Sequence, residues 1–449
     1  MDLTSPLSHL GTHLFLQFQF YSSTAVVLLH QRNQQRRLLR RKSRHRPLYL
    51  DVEISSFSTQ LLDEQSNKFN LDVSGPRLLF CADSSIDLLI KSGASQYVEF
   101  KSIDASFVGD ESGKLWSVPD TRAAIFKDKS LSLMEKNRLM SHLRCASVTY
   151  FTPLTLSRII LYAIAMADYD QDNKEQCKDL LKTKDGIARL ALYQSSVGRL
   201  TNAPGAFIYP IYGQGELPQA FCRRAAVKGC IYISGVLFAF GFEGLRMPVT
   251  SLLLEKSSGV YKGIRLASGQ DIFSQKLVLD PSLTVPSPSA SPLDSFHESF
   301  QFLCMRDVKQ KITSIRALQI SGNSAVCPRG MFVLYLSALS DDAHQGKKSL
   351  NAAMNALFTC PDSVNLESSC ADQNENAELK PTLLWSALYI QELATGQFDS
   401  ISSTPMPDGN LDYGDVLDSA MKLFQKMYPN EEFFPDTVEH DDGLSLEET

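Results

Sequence analysis

Apolar and polar side chains alternate in short runs along most of the chain, and this two-residue period is typical of half-buried β-strands. Three such runs between residues 250 and 280 are separated by the turn sequences KSSG and ASGQ, which predicts an antiparallel meander. Shorter runs predict further strands at residues 97–103, 105–108, 115–118, 331–336 and 383–392. The chain is therefore predicted to be rich in strands.

The period changes to that of a helix between residues 130 and 200, which predicts a helical segment between the β-rich parts. Residues 159–167 are almost wholly apolar, so this helix is expected to be buried on most sides. A second helix is predicted over residues 175–193. One face of a last predicted helix carries Val416, Ala420, Phe424 and Met427.

The most informative stretch is residues 206–235, AFIYPIYGQGELPQAFCRRAAVKGCIYISG. It predicts a strand, a tight glycine turn, a helix that starts at Pro218 and stops at Gly229, and a second strand. This is the local shape of a dinucleotide-binding unit, but the pattern is G-x-G-x-x-P and lacks the third glycine. Glu216 also places a carboxylate where a pyrophosphate would lie. The turn is therefore predicted to present side chains to a partner.

Two charged residues of this stretch, Glu216 and Arg223, are seven positions apart and are expected on one face of the helix. Spacing alone allows an ion pair on the surface, which would contribute little. It equally allows a charged rim around Ile231 and Ile233, as protein interfaces often have. The spacing leaves both interpretations open.

Composition narrows the possible functions. The chain has 449 residues and a net charge of −6, which predicts two or three domains and gives no electrostatic reason to expect nucleic-acid binding. Its nine cysteines form no C-x-x-C pair, so no metal site is predicted, and free thiols in a reducing compartment are expected. The sequence contains no P-loop, no G-x-S-x-G and no H-E-x-x-H, so no catalytic residue is predicted.

The two ends of the chain are strongly charged. Residues 31–47 carry eight Arg and Lys side chains and no acid. For residues 1–47 the alternatives are a nuclear signal, a patch for an anionic surface, a transit peptide, and a disordered basic arm or a sequence not native to the fold. The last of these, the arm or non-native sequence, is the interpretation preferred. Residues 436–449 carry six acids and neither Lys nor Arg, which predicts a disordered tail.

Several segments resemble, in order, the superfamily of GDP-dissociation inhibitors and Rab escort proteins. They are FNLDVSGPRLLFCADSSIDLLIKSGASQYVEFK at 69–101, SRIILYAIAMADYD at 157–170, YPIYGQGELPQAFCRRAAVKGCIYISG at 209–235 and LVLDPS at 277–282. Three further segments, at 118–140, 383–391 and 413–435, resemble the escort proteins more than the inhibitors, and those of plants in particular.

The resemblance implies an α/β fold with a flavoprotein-like composite domain of mixed sheets and a smaller all-helical domain. Domain I would comprise residues 48–129 and 201–435, with a loop at 341–380, and domain II residues 130–200, shortened near 144–157. The family begins with a strand and a glycine-rich turn. Residues 1–47 contain neither pattern, so both are expected to be missing or replaced.

The resemblance also implies a function without catalysis and without a bound flavin or other cofactor. Such a protein binds GDP-bound Rab GTPases, presents them to the α/β heterodimer of Rab geranylgeranyltransferase, shields the geranylgeranyl lipid and delivers prenylated Rab to membranes. It is expected in the cytosol, with transient membrane contact. A recycling inhibitor of prenylated Rab is the closest alternative, and a flavin-dependent oxidoreductase is the alternative from another class.

Individual positions follow from the same resemblance. The Rab-binding platform of the family would fall on Glu216, Gln219, Arg223, Ile231 and Ile233. Its mobile loop would correspond to residues 199–206, with Arg199, Asn202 and Pro204.

Overall fold

The computed structural model describes part of the chain. The described residues are 26–29, 38–42, 44–45, 49–58, 64–73, 77–109, 115–118, 126–127, 132–134, 136–137, 158–169, 171, 180–230, 249–279, 283–284, 314–340, 342–359, 380–391, 401–403 and 410–434.

Strands and helices alternate irregularly through these residues. The strands are β1 (Val26–Leu29), β2 (Leu38–Lys42), β3 (Arg44–His45), β4 (Tyr49–Ser56), β5 (Leu79–Phe80), β6 (Phe100–Ser102), β7 (Ser106–Gly109), β8 (Leu115–Val118), β9 (Phe207–Pro210), β10 (Val249–Glu255), β11 (Tyr261–Leu266), β12 (Asp271–Leu279), β13 (Leu283–Thr284), β14 (Arg316–Ser321), β15 (Phe332–Ser337), β16 (Trp385–Gln391) and β17 (Ile401–Ser403). The α-helices are α1 (Ser84–Lys91), α2 (Thr183–Ser196), α3 (Glu216–Val227), α4 (Ala343–Leu357) and α5 (Gly414–Met427).

The predicted meander is confirmed. β10, β11 and β12 pair antiparallel in sequence order and form the centre of a six-stranded sheet with the order β1-β12-β11-β10-β2. β17 pairs with β12 in parallel, so the sheet is mixed, as predicted for this fold class. Alternate residues of the meander, among them Leu252, Ile264 and Leu277, form a hydrophobic core cluster.

The preferred interpretation of residues 1–47 as a disordered arm is wrong where the structure describes them. β1 pairs with β12 and β2 pairs with β10, so this segment extends both sides of the meander. The apolar run at 26–29 and the pair Leu38–Leu39 supply short strands, and pairing at a sheet edge needs only backbone donors and acceptors. Basic composition therefore did not prevent strand formation.

Strand β9 lies at the centre of a three-stranded antiparallel sheet with the order β5-β9-β6. Its side chains alternate between two apolar clusters. Ile208 packs with Leu79, Phe221 and Leu417 on one face, whereas Phe207 and Tyr209 pack on the other. Both faces are covered, which explains why β9 reads as a continuous apolar run.

The helical predictions are confirmed in part. α5 buries Leu417, Ala420 and Phe424, close to the predicted face. The buried helix predicted at 159–167 is a single π-helical turn, Ile159–Ile164, and α2 starts at Thr183. Residues 138–157 and 172–179 lie outside the described residues, as do the predicted shortening near 144–157 and the acidic tail. The division into domains I and II stays a prediction.

The segment at 341–380 was predicted as a loop, and this is wrong for its first half. α4 occupies Ala343–Leu357, and its N-cap Asp342 accepts a hydrogen bond from the backbone N–H of His344. None of its described residues is fully buried, but Leu350, Ala353, Met354 and Leu357 recur at helical spacing and are half-buried, so the sequence did carry the stripe that predicts this helix. Residues 360–379 lie outside the described residues.

Candidate protein-binding site

Helix α3 is anchored by one apolar face in the core cluster that includes Ile208 of β9. Leu217, Ala220, Phe221 and Ala225 recur at helical spacing and are all buried, with Phe221 only 1% exposed. The helix begins at Glu216, two residues before the predicted start at Pro218. Pro218 remains within the first turn, where backbone N–H groups have no partner inside the helix, so its position costs little.

The opposite face of α3 brings three of the predicted platform residues together. Glu216 is half-buried, and Gln219 and Arg223 are exposed. Their spacing of three and four residues places them in one row along the helix. The neighbouring Arg224 has a different role, because its Nε donates to the carbonyl of Ser92 at 2.7 Å and ties the helix to α1.

The last helical residue of α3 is Val227, and Gly229 stops the helix as predicted, with a φ of 91°. The N–H of Gly229 donates to the carbonyl of Ala226, and that of Cys230 donates to the carbonyl of Ala225. These two bonds define a Schellman motif, in which glycine avoids the steric cost of a left-handed conformation. Ile231 and Ile233, the two remaining platform positions, lie outside the described residues.

The backbone N–H groups of the turn between β9 and α3 donate hydrogen bonds to other groups of the protein. The N–H groups of Tyr212 and Gly213 donate to the carbonyls of Ser324 and Pro210 at 2.8 and 3.2 Å. Those of Glu216 and Leu217 donate to turn carbonyls at 3.2 and 3.1 Å. A phosphate-binding turn would direct such groups toward its ligand. This turn is instead built to hold its own shape, which agrees with its predicted lack of phosphate chemistry.

Asp72 holds the turn from outside, although sequence reasoning did not single it out. One carboxylate oxygen accepts the backbone N–H of Gln214 at 3.0 Å, and the other accepts the hydroxyl of Tyr209. The N–H of Asp72 donates to the hydroxyl of Tyr335 at 2.9 Å. Asp72 lies in the stretch FNLDVS, where every second residue is polar, so the sequence carries no signal that distinguishes it.

Gln214 carries the same network into the core. Its side-chain amide donates to the carbonyl of Arg77 at 2.7 Å and accepts from the hydroxyl of Tyr413 at 3.2 Å. Arg77 in turn donates to the carbonyl of Asp412 at 2.6 Å. Buried polar groups that are satisfied in this way fix one arrangement, because any other leaves a donor or acceptor unpaired.

Burial dominates the electrostatics of this network. It raises the pKa of Asp72 above its usual range, although the hydrogen bonds from Tyr209 and Gln214 act in the opposite direction. Burial, followed by the charge of Asp72, raises the pKa of Tyr209 so far that its hydroxyl stays protonated. Tyr209 is therefore a permanent donor to Asp72.

The predicted mobile loop leads directly into β9. Arg199 donates to the carbonyl of Cys81 at 2.9 Å and pairs with Asp87 at 2.7 Å, so it connects the loop to α1. The carbonyl of Pro204 accepts the N–H of Gly198 at 3.1 Å and closes the loop. Asn202 lines a cleft of about 400 Å³ between the loop and β6. Movement of the loop would break the ion pair of Arg199 with Asp87.

The polar face of α3 and a turn whose backbone donors are bound within the protein are compatible with contact to a partner. A family model described as GDP dissociation inhibitor matches residues 56–152 and 154–290, and the chain belongs to this family. Its members are non-catalytic accessory proteins.

Among curated relatives, the chain is similar to Rab escort protein 1 of Arabidopsis thaliana, with 49% identity that covers 90% of this chain and 83% of that one. It is 27% identical to Rab proteins geranylgeranyltransferase component A 1 of Homo sapiens, covering 83% of this chain but only 59% of that one.

Among solved structures, the fold is similar to the Rab GDI of Plasmodium falciparum, with a TM-score of 0.51 and 14% identity over 95% of this chain and 97% of that one. This likeness confirms the predicted flavoprotein-like α/β fold class. Among the described residues, no helix is both long and apolar enough to span a bilayer.

Proposed function

We propose that this chain is an escort protein that binds GDP-bound Rab GTPases, presents them to the αβ heterodimer of Rab geranylgeranyltransferase and delivers the prenylated product to membranes. The observation that supports it best is the row of half-buried Glu216 and exposed Gln219 and Arg223, on a helix that is anchored by its other face. The family and the 49% identity to a Rab escort protein support the same function.

The platform of this proposal combines charge with rigidity. Glu216 and Arg223 carry opposite charges along one row, and such patterns set partner choice and register at interfaces. The Schellman motif at one end of α3 and the Asp72 network at the other fix the direction of this row. A rigid surface loses little conformational entropy when it binds.

Binding to purified Rab in its two nucleotide states is the first test. We expect retention of GDP-loaded Rab on the immobilised chain and much weaker retention of GTP-loaded Rab. Equal retention of the two states, or none of either, would contradict the proposal.

Reversal of the charge of Arg223 tests the platform itself. We expect Arg223→Glu to weaken Rab binding by on the order of a few kcal/mol, because it leaves a like charge in the interface. Lys228→Glu is the matched control, since Lys228 is also exposed and directly follows the last residue of this helix, about 140° further round its axis. Affinity should be measured by titration calorimetry on folded proteins. An equal loss of Rab affinity in the two variants would show that Arg223 is not part of the binding site.

The second candidate is a recycling inhibitor that extracts prenylated Rab without supporting prenylation. The family model itself favours it, because that model describes GDP dissociation inhibitors. An assay with the transferase αβ heterodimer, Rab and geranylgeranyl diphosphate separates the two functions. Prenylation that depends on the added chain supports the escort function, and extraction without prenylation supports the inhibitor.

The cellular setting follows from the same proposal. A carrier of lipid-modified Rab would work in the cytosol and contact membranes only during delivery. The lipid-shielding part would lie in the predicted helical segment, residues 130–200. Flotation with liposomes, with and without prenylated Rab, tests this expectation. Liposome binding that is the same with and without the prenylated Rab would contradict it.

A further inference from the structure

Tyr212 occupies an unusual position beside the proposed platform. Its backbone is left-handed, with a φ of 71°, and its side chain is 59% exposed. It lies four residues before Glu216 and two after the end of β9. A bulky residue in this conformation is a genuine outlier, because its Cβ crowds the backbone.

The geometry of the turn makes the choice of tyrosine more notable. The N–H of Gly213 donates to the carbonyl of Pro210, so residues 210–213 form a β-turn with Tyr212 in its third position. A positive φ at that position is normally supplied by glycine or asparagine. The other end of α3 uses Gly229 for the same purpose. Stability alone would therefore favour glycine at 212.

The surroundings hold Tyr212 in place without burying it. Its N–H is bound to the carbonyl of Ser324 at 2.8 Å, and the N–H of Gln214 is bound to Asp72 at 3.0 Å. Gly213, the next residue, has a φ of 102°, which favours glycine, and an added Cβ there would lie 3.1 Å from the Asp72 carboxylate. The result is a rigid turn that exposes an aromatic ring.

We propose that the ring of Tyr212 is a further contact for the small GTPase, presented by a turn that Asp72 positions. The inference rests on the proposed function. Exposed, strained residues that persist only because their surroundings hold them are concentrated at functional sites. Tyrosine is also enriched among the residues that dominate interface energies, since it buries a large area with little loss of side-chain freedom.

Substitutions at position 212 distinguish the contribution of the aromatic ring to binding from that of the backbone conformation. Tyr212→Gly and Tyr212→Asn both suit a positive φ, so both variants are expected to fold with unchanged or higher thermal stability. Both are expected to bind GDP-loaded Rab about tenfold more weakly or worse. Tyr212→Phe keeps the ring and is expected to stay within about threefold of the unmodified chain. Val227→Ala is the control, because Val227 is 65% exposed at the far end of the same helix.

The measurement is titration calorimetry with GDP-loaded Rab, together with thermal unfolding of each variant. Loss of affinity in the Gly and Asn variants, with retention in the Phe and Val227 variants, supports the ring contact. Unchanged affinity in the Gly variant, or an equal loss in the Phe variant, overturns it. Absence of binding by the unmodified chain would overturn the proposed function as well, which distinguishes the two failures.

Discussion

The meander β10–β12 and the turn from β9 to α3 both reverse the chain within a few residues, but they are held in different ways. In the meander, Gly259 and Gly269 take the left-handed positions, and the strands on either side pair with each other. In the β9 turn, a tyrosine takes such a position, and the turn is held by Asp72, which is 142 residues away from Gln214. The first device is local and the second depends on the whole fold.

The cores behind the two regions differ in the same way. The meander packs aliphatic side chains such as Leu252 and Ile264 into an apolar cluster. The β9 turn lies over a polar network in which Asp72, Gln214 and Tyr413 satisfy one another. Apolar packing tolerates exchange of similar side chains, whereas a polar network requires particular partners. The proposed binding site lies where the second kind of constraint acts.

The largest expected change in the free energy of unfolding comes from a substitution in the meander. A Cβ on Gly263 would lie 2.3 Å from the carbonyl oxygen of Ile272 on the paired strand, so Gly263→Ala forces two backbones apart. We expect a loss of about 3 kcal/mol in the free energy of unfolding, measured with urea. The affinity of the remaining folded protein for Rab should not change, because the meander's defect is local.

Gly215→Ala is the matched control for this substitution. The site at 215 has open space around an added Cβ and an ordinary φ of −57°. We expect it to cost less than about 1 kcal/mol, since alanine is only a poorer N-cap than glycine. If the two alanine variants were equally stable, the close approach at Gly263 would not govern the meander.

An intermediate effect is expected at the β9 turn. Asp72→Ala leaves the Tyr209 hydroxyl and the backbone N–H of Gln214 without their acceptor, the Asp72 carboxylate. We expect a loss of about 2 kcal/mol in the free energy of unfolding. It should also lower Rab affinity, because the turn is no longer fixed. Asp72→Asn has the same shape and keeps one of the two acceptor oxygens, so it should restore part of both properties. Equal losses in the two variants would show that the charge, rather than the hydrogen bonds, matters.

The same contrast explains what the sequence could predict. The meander follows from alternation and turn residues between 250 and 280, and its three strands were predicted. The row of Glu216 and Arg223 follows from helical spacing within one segment. The left-handed backbone of Tyr212 does not follow from the sequence, because it depends on Ser324 and Asp72, which lie far away in the chain. Likewise α4 was missed, because residues 341–380 were judged by their polar composition and not by the helical spacing of the apolar residues within them.

The smallest expected effect is a pH dependence that the meander's apolar core would not produce. Burial raises the pKa of Asp72, so the native state holds this proton more tightly than the unfolded chain does. Its contribution to stability is then complete below the unfolded pKa of about 4 and is lost as the pH rises through the raised native value. Urea unfolding at about pH 4.5 and about pH 7.5 should therefore show the unmodified chain losing stability relative to Asp72→Asn as the pH rises. If the unmodified chain instead gained stability relative to Asp72→Asn as the pH rose, the hydrogen bonds from Tyr209 and Gln214 would outweigh burial. The turn would then be held by a charged carboxylate.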